Sequence, residues 1–192
     1  MFGNLVNNKQ LKDLLKQKAV EIEPFELNNL STVHYTLHIN KIKVRQSNGT
    51  IVTVHDFSEN RNPYTLKAGQ YVIAEIMEKV KLNCDAIVGK FIPASSLIEM
   101  GLSITAGKID KKYGTHGPEQ GKPSEMIVFG LINQIQDSDV QIEPKMRIAH
   151  MELFDLRGVS SDEVVLSEDE KRRFFYRYLR GASDGVDYGD GS

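Results

Sequence analysis

Short runs in which apolar and polar residues alternate, separated by turn residues, recur along most of this chain. His34–Ile39 alternates in this way, and Ile42–Val54 continues the pattern around an Asn48–Gly49 turn. Further runs of this kind are Tyr71–Met77, Ala86–Ile92, Leu102–Ala106, Met126–Asn133 and Met146–Phe154. Short strands at this spacing predict an antiparallel sandwich or barrel, because parallel folds would alternate strands with longer helical segments.

A helical pattern precedes these strands. Leu11, Leu14 and Leu15 recur at helical spacing within Asn8–Ala19, with polar residues between them. This spacing predicts one amphipathic helix. Pro24 then ends any helical continuation, since proline lacks a backbone donor and its ring clashes with the preceding turn. We therefore expect a mainly β fold with a helix near its N-terminus.

A second helix is predicted near the other end of the chain. Ser167 and Glu170 have the spacing of a capping box, so we expect a helix over residues 168–180 that ends before Gly181. Its apolar stripe is surrounded by arginines. Docking on its own domain is the favoured interpretation, and binding of a protein partner through residues 168–180 is the alternative.

The 192 residues are enough for one domain with a sizeable core and a short added element. We expect a β domain over residues 1–158, a helical extension over 159–181 and a disordered acidic tail over 182–192, which holds no basic residue. Within the β domain, Lys111–Ser124 contains three glycines and two prolines, which predicts a long surface loop.

The overall charge excludes one class of partner. Lys and Arg total 24 against 26 for Asp and Glu, so the net charge is -2, and no binding to nucleic acid is expected. The single cysteine, Cys84, cannot form an internal disulfide. No apolar run approaches the roughly 20 residues that a membrane helix requires, so no membrane association is expected. These features predict a soluble cytoplasmic protein, or one of the host-cell cytoplasm or virion if the source is viral.

Several segments resemble the dCTP deaminases. Residues 87–102 read IVGKFIPASSLIEMGL, which is similar to a family signature in which a strand leads into Arg-Ser-Ser-Leu and a short helix ends in Gly-Leu. Residues 105–114 resemble the β-hairpin that dCTP deaminases share with trimeric dUTPases. The other similar segments are residues 11–25, 35–37 and 147–150, in the family's order. Several motifs in the right order are strong evidence for fold and weaker evidence for activity.

The resemblance implies a dUTPase-like fold, a distorted β-barrel or jelly-roll sandwich. It implies self-association as a homotrimer, because family members form their sites between subunits. It also implies that pyrimidine deoxynucleotides bind, with the hairpin cradling the pyrimidine and the deoxyribose. The residues carried over to such a site are Ser95, Ser96, Ala106, Ile109, Asp110 and Tyr113.

Three replacements argue against deamination. Family members of this kind deaminate without metal, using a glutamate on the strand after the hairpin, and Gly130 stands at that position. Glycine has no side chain and cannot transfer a proton. Two arginines of the signature are replaced by Ala94 and Glu99, so phosphate-facing cations are missing as well. The sequence therefore predicts a family member without deaminase activity.

A residual dUTP diphosphatase is a second interpretation. Asp110 stands where the resemblance places the general base of a dUTPase, and Tyr113 where it places the sugar-stacking aromatic. However, Thr36 replaces the early aspartate that supports Mg²⁺-triphosphate, and the acidic tail should repel a triphosphate. Mg²⁺ is therefore expected only if a nucleoside triphosphate binds, and no resident metal is expected. A purely architectural role for Asp110 in the hairpin is favoured over catalysis.

The histidines offer no zinc-deaminase pattern, because no His-x-Glu with a downstream Cys-x-x-Cys exists. His34 and His38 are expected on one strand face, and His150 is interpreted as a polar core or rim residue. Three functions stay open: a pyrimidine-nucleotide binder without turnover, a residual nucleotide enzyme that uses Asp110, and a structural trimer within a larger assembly such as a virion. A nucleotide-binding role is ranked slightly ahead of the structural one.

Overall fold

The structure, a computed structural model, describes residues 4–111 and 126–157. The predicted helix at 168–180, the acidic tail, Tyr113 and most of the predicted loop at Lys111–Ser124 lie outside these residues. Within the described residues, no helix is long and apolar enough to span a membrane.

The described residues form short helices and many strands. The helices are α1 (Asn8–Lys16) and α2 (Ser95–Glu99), with a 3-10 turn at Leu27–Asn29. The strands are β1 (Asn4–Leu5), β2 (Val20–Glu23), β3 (Tyr35–Arg45), β4 (Ile51–Asp56), β5 (Tyr64–Leu66), β6 (Tyr71–Leu82), β7 (Ile87–Pro93), β8 (Leu102–Thr105), β9 (Lys108–Ile109), β10 (Met126–Asn133), β11 (Val140–Ile142) and β12 (Arg147–Asp155). The predicted mainly β fold is confirmed.

The strand pairings in this part of the chain are antiparallel, as predicted. The principal sheet has the order β8-β10-β6-β3-β12-β7-β9, with β1 added to β12, β2 to β6 and β4 to β3. β3 belongs to both halves of this curled sheet, because residues 35–38 pair with β12 and residues 39–43 pair with β6. A separate small sheet joins β5 to β11.

One hydrophobic core fills the space between the two arms of the sheet. Phe91 on β7 meets Phe129 on β10 edge to face, with ring centroids 5.1 Å apart, so the arms pack against each other. Tyr35, Leu37 and Ile39 of the shared strand are completely buried in this core. Burial of such large side chains is the main driving force for this packing, at roughly 25 cal/mol per Å² of apolar surface.

The hairpin predicted around Asn48–Gly49 is confirmed between β3 and β4. Gly49 has a φ of +85°, a conformation that glycine adopts without steric cost. The Gln46 and Gly49 amides donate to the Thr50 and Gln46 carbonyls, respectively, which closes the turn. The residues on either side of this turn therefore form two antiparallel strands, with a register shift between Ile42 and Lys43.

The first helix is shorter than predicted. It begins with a capping box, in which the Asn7 side chain accepts from the Gln10 amide and the Gln10 side chain accepts from the Asn7 amide. It ends at Lys16 and not at Ala19, because Lys18 has a φ of 55° and the chain then enters β2. Val20 and Ile22 are buried at alternate positions of that strand, which pairs with β6.

Candidate functional site

The segment similar to the deaminase signature folds as the resemblance implies, with β7 leading into α2. Ser95 and Ser96 are exposed at the start of this helix, whereas Leu97 is buried beneath them. Ala94, which replaces a family arginine, is only 2% exposed, and its amide donates to the Ile148 carbonyl. Gly101 follows the helix with a φ of +68°, which turns the chain directly into β8. The two serines are therefore held at the surface by a fixed turn of helix.

The segment that resembles the hairpin, residues 105–114, comes next and lies within the described residues only as far as Lys111. β8 pairs with β10 and β9 pairs with β7, so these two strands do not pair with each other. Ala106 and Gly107 are exposed between them. Ile109 is 1% exposed and packs over Gly89 of β7, so this residue belongs to the core. The Asp110 carboxylate lies 3.2 Å from the Lys108 ammonium, and about a third of the aspartate side chain remains accessible. This segment thus presents the exposed Ala106 and Gly107 and the partly exposed Asp110 carboxylate.

Gly130, at the position expected to hold a proton-transferring glutamate, lies beside the start of this hairpin. It pairs with Thr105, the last residue of β8, and with Ile73 of β6. A Cβ atom at Gly130 would lie 2.4 Å from the Tyr71 hydroxyl oxygen and under 3 Å from two ring carbons of the same side chain. The aromatic ring of Tyr71 therefore occupies the space into which a glutamate side chain would project.

The serine pair and Asp110 do not meet within one chain. Ile109 pairs with Gly89 near the start of β7, whereas Ser95 follows Pro93 at the end of that strand. Gly89 and Pro93 are four residues apart, which is about 13 Å of extended backbone. Asp110 continues away from the serines, so these predicted site residues face different parts of the surface.

A polar cluster that the sequence did not predict lies across β3 and β12. The Thr36 hydroxyl is 3.3 Å from His150 Nδ1, and the His34 and His150 ring centroids are 4.1 Å apart. Burial, followed by the nearby His34 and Arg147 side chains, lowers the pKa of His150 below its usual value. His150 is therefore neutral at neutral pH, and the cluster does not supply a fixed cation for phosphate binding.

His38 has a different partner, although it was expected to share a strand face with His34. Its Nδ1 lies 2.7 Å from Glu78 Oε1, and its backbone amide donates to Glu78 Oε2 at 2.9 Å. Glu78 is 1% exposed, so this pair satisfies a buried carboxylate. The two histidines thus serve separate clusters.

The described residues do not fit a Mg²⁺ site at the place where the resemblance implies one. Thr36, which stands for the supporting aspartate, is 8% exposed and directs its hydroxyl to an imidazole. Mg²⁺ prefers carboxylate and water oxygens at this kind of position. Across residues 4–111 and 126–157, no group of three or more His, Cys, Asp or Glu side chains is arranged to hold a metal ion.

Comparisons of the sequence with known proteins agree on one family. A family model described as dCTP deaminase-like matches residues 5–156. A dCTP deaminase, dUMP-forming, from Nanoarchaeum equitans is 24% identical over 185 residues, which cover 82% of this chain and 87% of the relative.

Solved structures show a similar architecture. The 2'-deoxycytidine 5'-triphosphate deaminase from Agrobacterium tumefaciens superposes with a TM-score of 0.54 at 12% identity, over 81% of this chain and 50% of that chain. The present chain thus spans half the length of that protein. A dUTPase from Streptococcus mutans superposes with a TM-score of 0.47 at 17% identity, over 72% of this chain and 95% of that chain. At 12% identity, the likeness to the Agrobacterium structure establishes a shared fold.

Proposed function

Because this chain belongs to the dCTP deaminase-like family, we propose that it is a homotrimeric pyrimidine-deoxynucleotide-binding protein that does not deaminate dCTP. The observation that carries the proposal is the arrangement at Gly130. The side chain needed for proton transfer is missing, and the Tyr71 ring lies where that side chain would begin. Removal of an amino group needs a positioned group that moves protons, so this arrangement favours binding without turnover.

The signature helix supports the loss of deamination. Glu99, which replaces a family arginine, is exposed at the end of α2 and carries the same sign of charge as a triphosphate. Ala94, which replaces the other arginine, is buried and contributes no charge. In this proposal Ser95 and Ser96 supply neutral hydrogen bonds to a nucleotide, a weaker interaction than a bidentate arginine would provide.

The homotrimer is proposed because one chain separates the two halves of its candidate site. Ser95 and Ser96 follow the end of β7, whereas Ile109 pairs with Gly89 near the start of that strand and Asp110 comes next. A second copy that presents its hairpin to the serine helix would bring these halves together. Sedimentation of the full chain tests this, and a monomer of 21.6 kDa at micromolar concentrations would contradict it.

Thermal unfolding with a panel of nucleotides tests the binding function. We expect dUTP, dTTP and dCTP to raise the melting temperature more than the purine control dATP, since a ligand that binds only the folded state stabilises it by mass action. Each nucleotide is measured with and without Mg²⁺, which shows whether a triphosphate brings the metal with it. If no nucleotide raises the melting temperature, nucleotide binding is contradicted and the structural trimer in a larger assembly is favoured.

The proposal places the protein in the cytoplasm.

Measurement of ammonia release from dCTP tests directly whether the protein deaminates this nucleotide. We expect none, because Gly130 carries no group that can transfer a proton. A rate above about one per second, which is ordinary for an enzyme, would contradict the proposed loss of activity.

Residual dUTP hydrolysis through Asp110 is the second candidate, favoured by the accessible part of its carboxylate. If Asp110 activates the attacking water, Asp110→Asn should lower pyrophosphate release by about 10²- to 10⁴-fold and leave the protein folded. If Asp110 only shapes the hairpin, the substitution should change the free energy of unfolding by no more than about 1 kcal/mol and leave nucleotide binding unchanged. Wild-type protein that is inert towards dUTP rejects this candidate.

A further inference from the structure

Tyr71 differs from other tyrosines of the domain in how its hydroxyl is used. The Tyr35 hydroxyl accepts from the Glu26 amide at 2.8 Å, and the Tyr64 hydroxyl accepts from Gln70 Nε2 at 3.2 Å. In residues 4–111 and 126–157, no such hydrogen bond forms at the Tyr71 hydroxyl. Tyr71 is also 55% exposed. This ring is available to a partner from outside the domain.

The ring is held over the backbone of Gly130 by strand geometry. Tyr71 pairs with Ile132, and Gly130 pairs with Ile73, so Tyr71 and Gly130 are diagonal neighbours on one face of the sheet. Aromatic side chains reach diagonal neighbours across antiparallel strands. Because glycine presents only backbone, the ring can lie closer to the sheet here than over any other residue.

The ring borders the hairpin that carries the candidate nucleotide site. Gly130 also pairs with Thr105 on its other side, and the exposed Ala106 and Gly107 follow directly. A flat, half-exposed aromatic surface beside an exposed backbone bend suits a planar heterocycle, because a base can stack on the ring and hydrogen-bond to the backbone. Tyr71 begins β6 and Ala106 follows β8, and these two strands flank β10 at Gly130.

We propose that Tyr71 is the residue on which the pyrimidine base stacks in this protein. The inference rests on the proposed nucleotide-binding function and deepens it. It also gives a consequence of the glycine at position 130. Without the family's glutamate, an aromatic ring can lie over this position. Base stacking on that ring provides affinity in a site that lacks the signature arginines.

Isothermal titration of the full chain with dUTP and with dTTP tests the inference. Tyr71→Leu keeps an apolar side chain over Gly130 and removes the aromatic face, and we expect the dissociation constant to rise about 10-fold or more. Tyr71→Phe keeps the ring and should stay within about threefold of wild type. Val128→Ala is the matched control, since Val128 is 44% exposed on the same face of β10, and it should bind like wild type.

The outcomes separate this inference from the proposed function. Wild-type protein that binds nucleotides while Tyr71→Leu binds equally well overturns only the role of Tyr71. If Tyr71→Leu and Val128→Ala weaken nucleotide binding equally, the role of Tyr71 is also overturned, because the loss would then follow from any change on this face of the sheet. Wild-type protein that binds neither nucleotide overturns both proposals. Sedimentation of each variant, with the state of assembly unchanged, shows that any loss of binding arises at the ring.

Discussion

Gly89 on β7 and Gly130 on β10 have no room for a side chain, yet their neighbours are very different. A Cβ at Gly89 would lie 2.6 Å from an Ile109 methyl carbon and 2.9 Å from one of Leu153, and both of these side chains are buried. The three atoms nearest to a Cβ at Gly130 all belong to the far end of the exposed Tyr71 ring, at 2.4 to 2.9 Å. Neither glycine has a positive φ, so space alone distinguishes them.

The two glycines differ in whether the side chain packed against them can move away. At Gly89, the neighbours cannot move without disturbing the core that joins β7 to β9 and β12. At Gly130, the neighbour can rotate into solvent. A strand glycine therefore indicates a close approach, and the burial of the approaching group shows whether that approach maintains the fold or is open to a ligand.

The largest expected effect is at Gly89. Gly89→Ala should lower the free energy of unfolding by about 2 kcal/mol, because the added methyl overpacks a buried site. Urea denaturation monitored by circular dichroism measures this loss. A variant as stable as wild type would contradict the tight packing of Ile109 over β7.

Gly130→Ala should have a smaller effect on stability. The methyl displaces an exposed ring, and the lower entropy of the unfolded chain with alanine offsets part of the loss, so we expect a change within about 0.5 kcal/mol. The same urea measurement applies, with Gly89→Ala as the reference. Equal losses at the two positions would remove the distinction drawn between them.

A double-mutant cycle measures the coupling between Tyr71 and position 130. Tyr71→Ala should remove the steric conflict at position 130, so the combined Tyr71→Ala and Gly130→Ala variant should differ from additivity by about 0.5 kcal/mol or more. Val128→Ala combined with Gly130→Ala serves as the control pair and should be closer to additive. Additive behaviour of the tyrosine pair would show that the ring does not contact the glycine in solution.

Acidification from pH 7 to pH 5 should act through His150 on β12, which pairs with the strand that contains Gly89, and its effect should be the smallest. The folded-state pKa of His150 is lowered, chiefly by burial, so the unfolded chain takes up the proton first as the pH falls. Stability present above the unfolded pKa of about 6.5 is therefore lost as the pH falls below it. His150→Gln should make stability less dependent on pH between 7 and 5, whereas Gly130→Ala should not. An unchanged pH dependence in His150→Gln would contradict this assignment.

Much of the strand pattern could be predicted from the sequence, because alternation reports burial directly. Met126–Asn133 was predicted with its observed bounds, and the hairpin at Asn48–Gly49 has the predicted turn. The prediction stopped β6 at Met77, although it continues to Leu82, since Glu78 is buried and interrupts the alternation. A buried carboxylate that is satisfied by a distant histidine gives no local signal.

Some short strands could not be predicted from local sequence patterns. β2 begins directly after the predicted helix and was not predicted as a strand, and β5 and β11 have three residues each and pair with each other from distant parts of the sequence. Their connection depends on Asn133, which is completely buried and donates to the carbonyls of Leu66, Lys67 and Ser138. Such a tertiary hydrogen-bond network fixes loops whose own sequences have no clear pattern.

The candidate site was predictable only as separate motifs. The positions of Ser95, Ser96 and Asp110 within their elements follow from the resemblance, but their separation along β7 required the strand register. Tyr71 and the contact between His34 and His150 were missed, because each depends on strands that meet across the sheet. Pairing between sequence-distant strands is a property of the whole fold and leaves no mark in a local pattern.

The sharing of β3 between the two arms of the sheet has a consequence for how the domain opens. Its first residues hold β12 and its later residues hold β6, so breaking this strand removes the hydrogen bonds at the centre of both arms. Amide protons of β3 should consequently exchange with solvent only when the domain unfolds as one cooperative unit, whereas those of the small β5–β11 sheet should exchange through local opening.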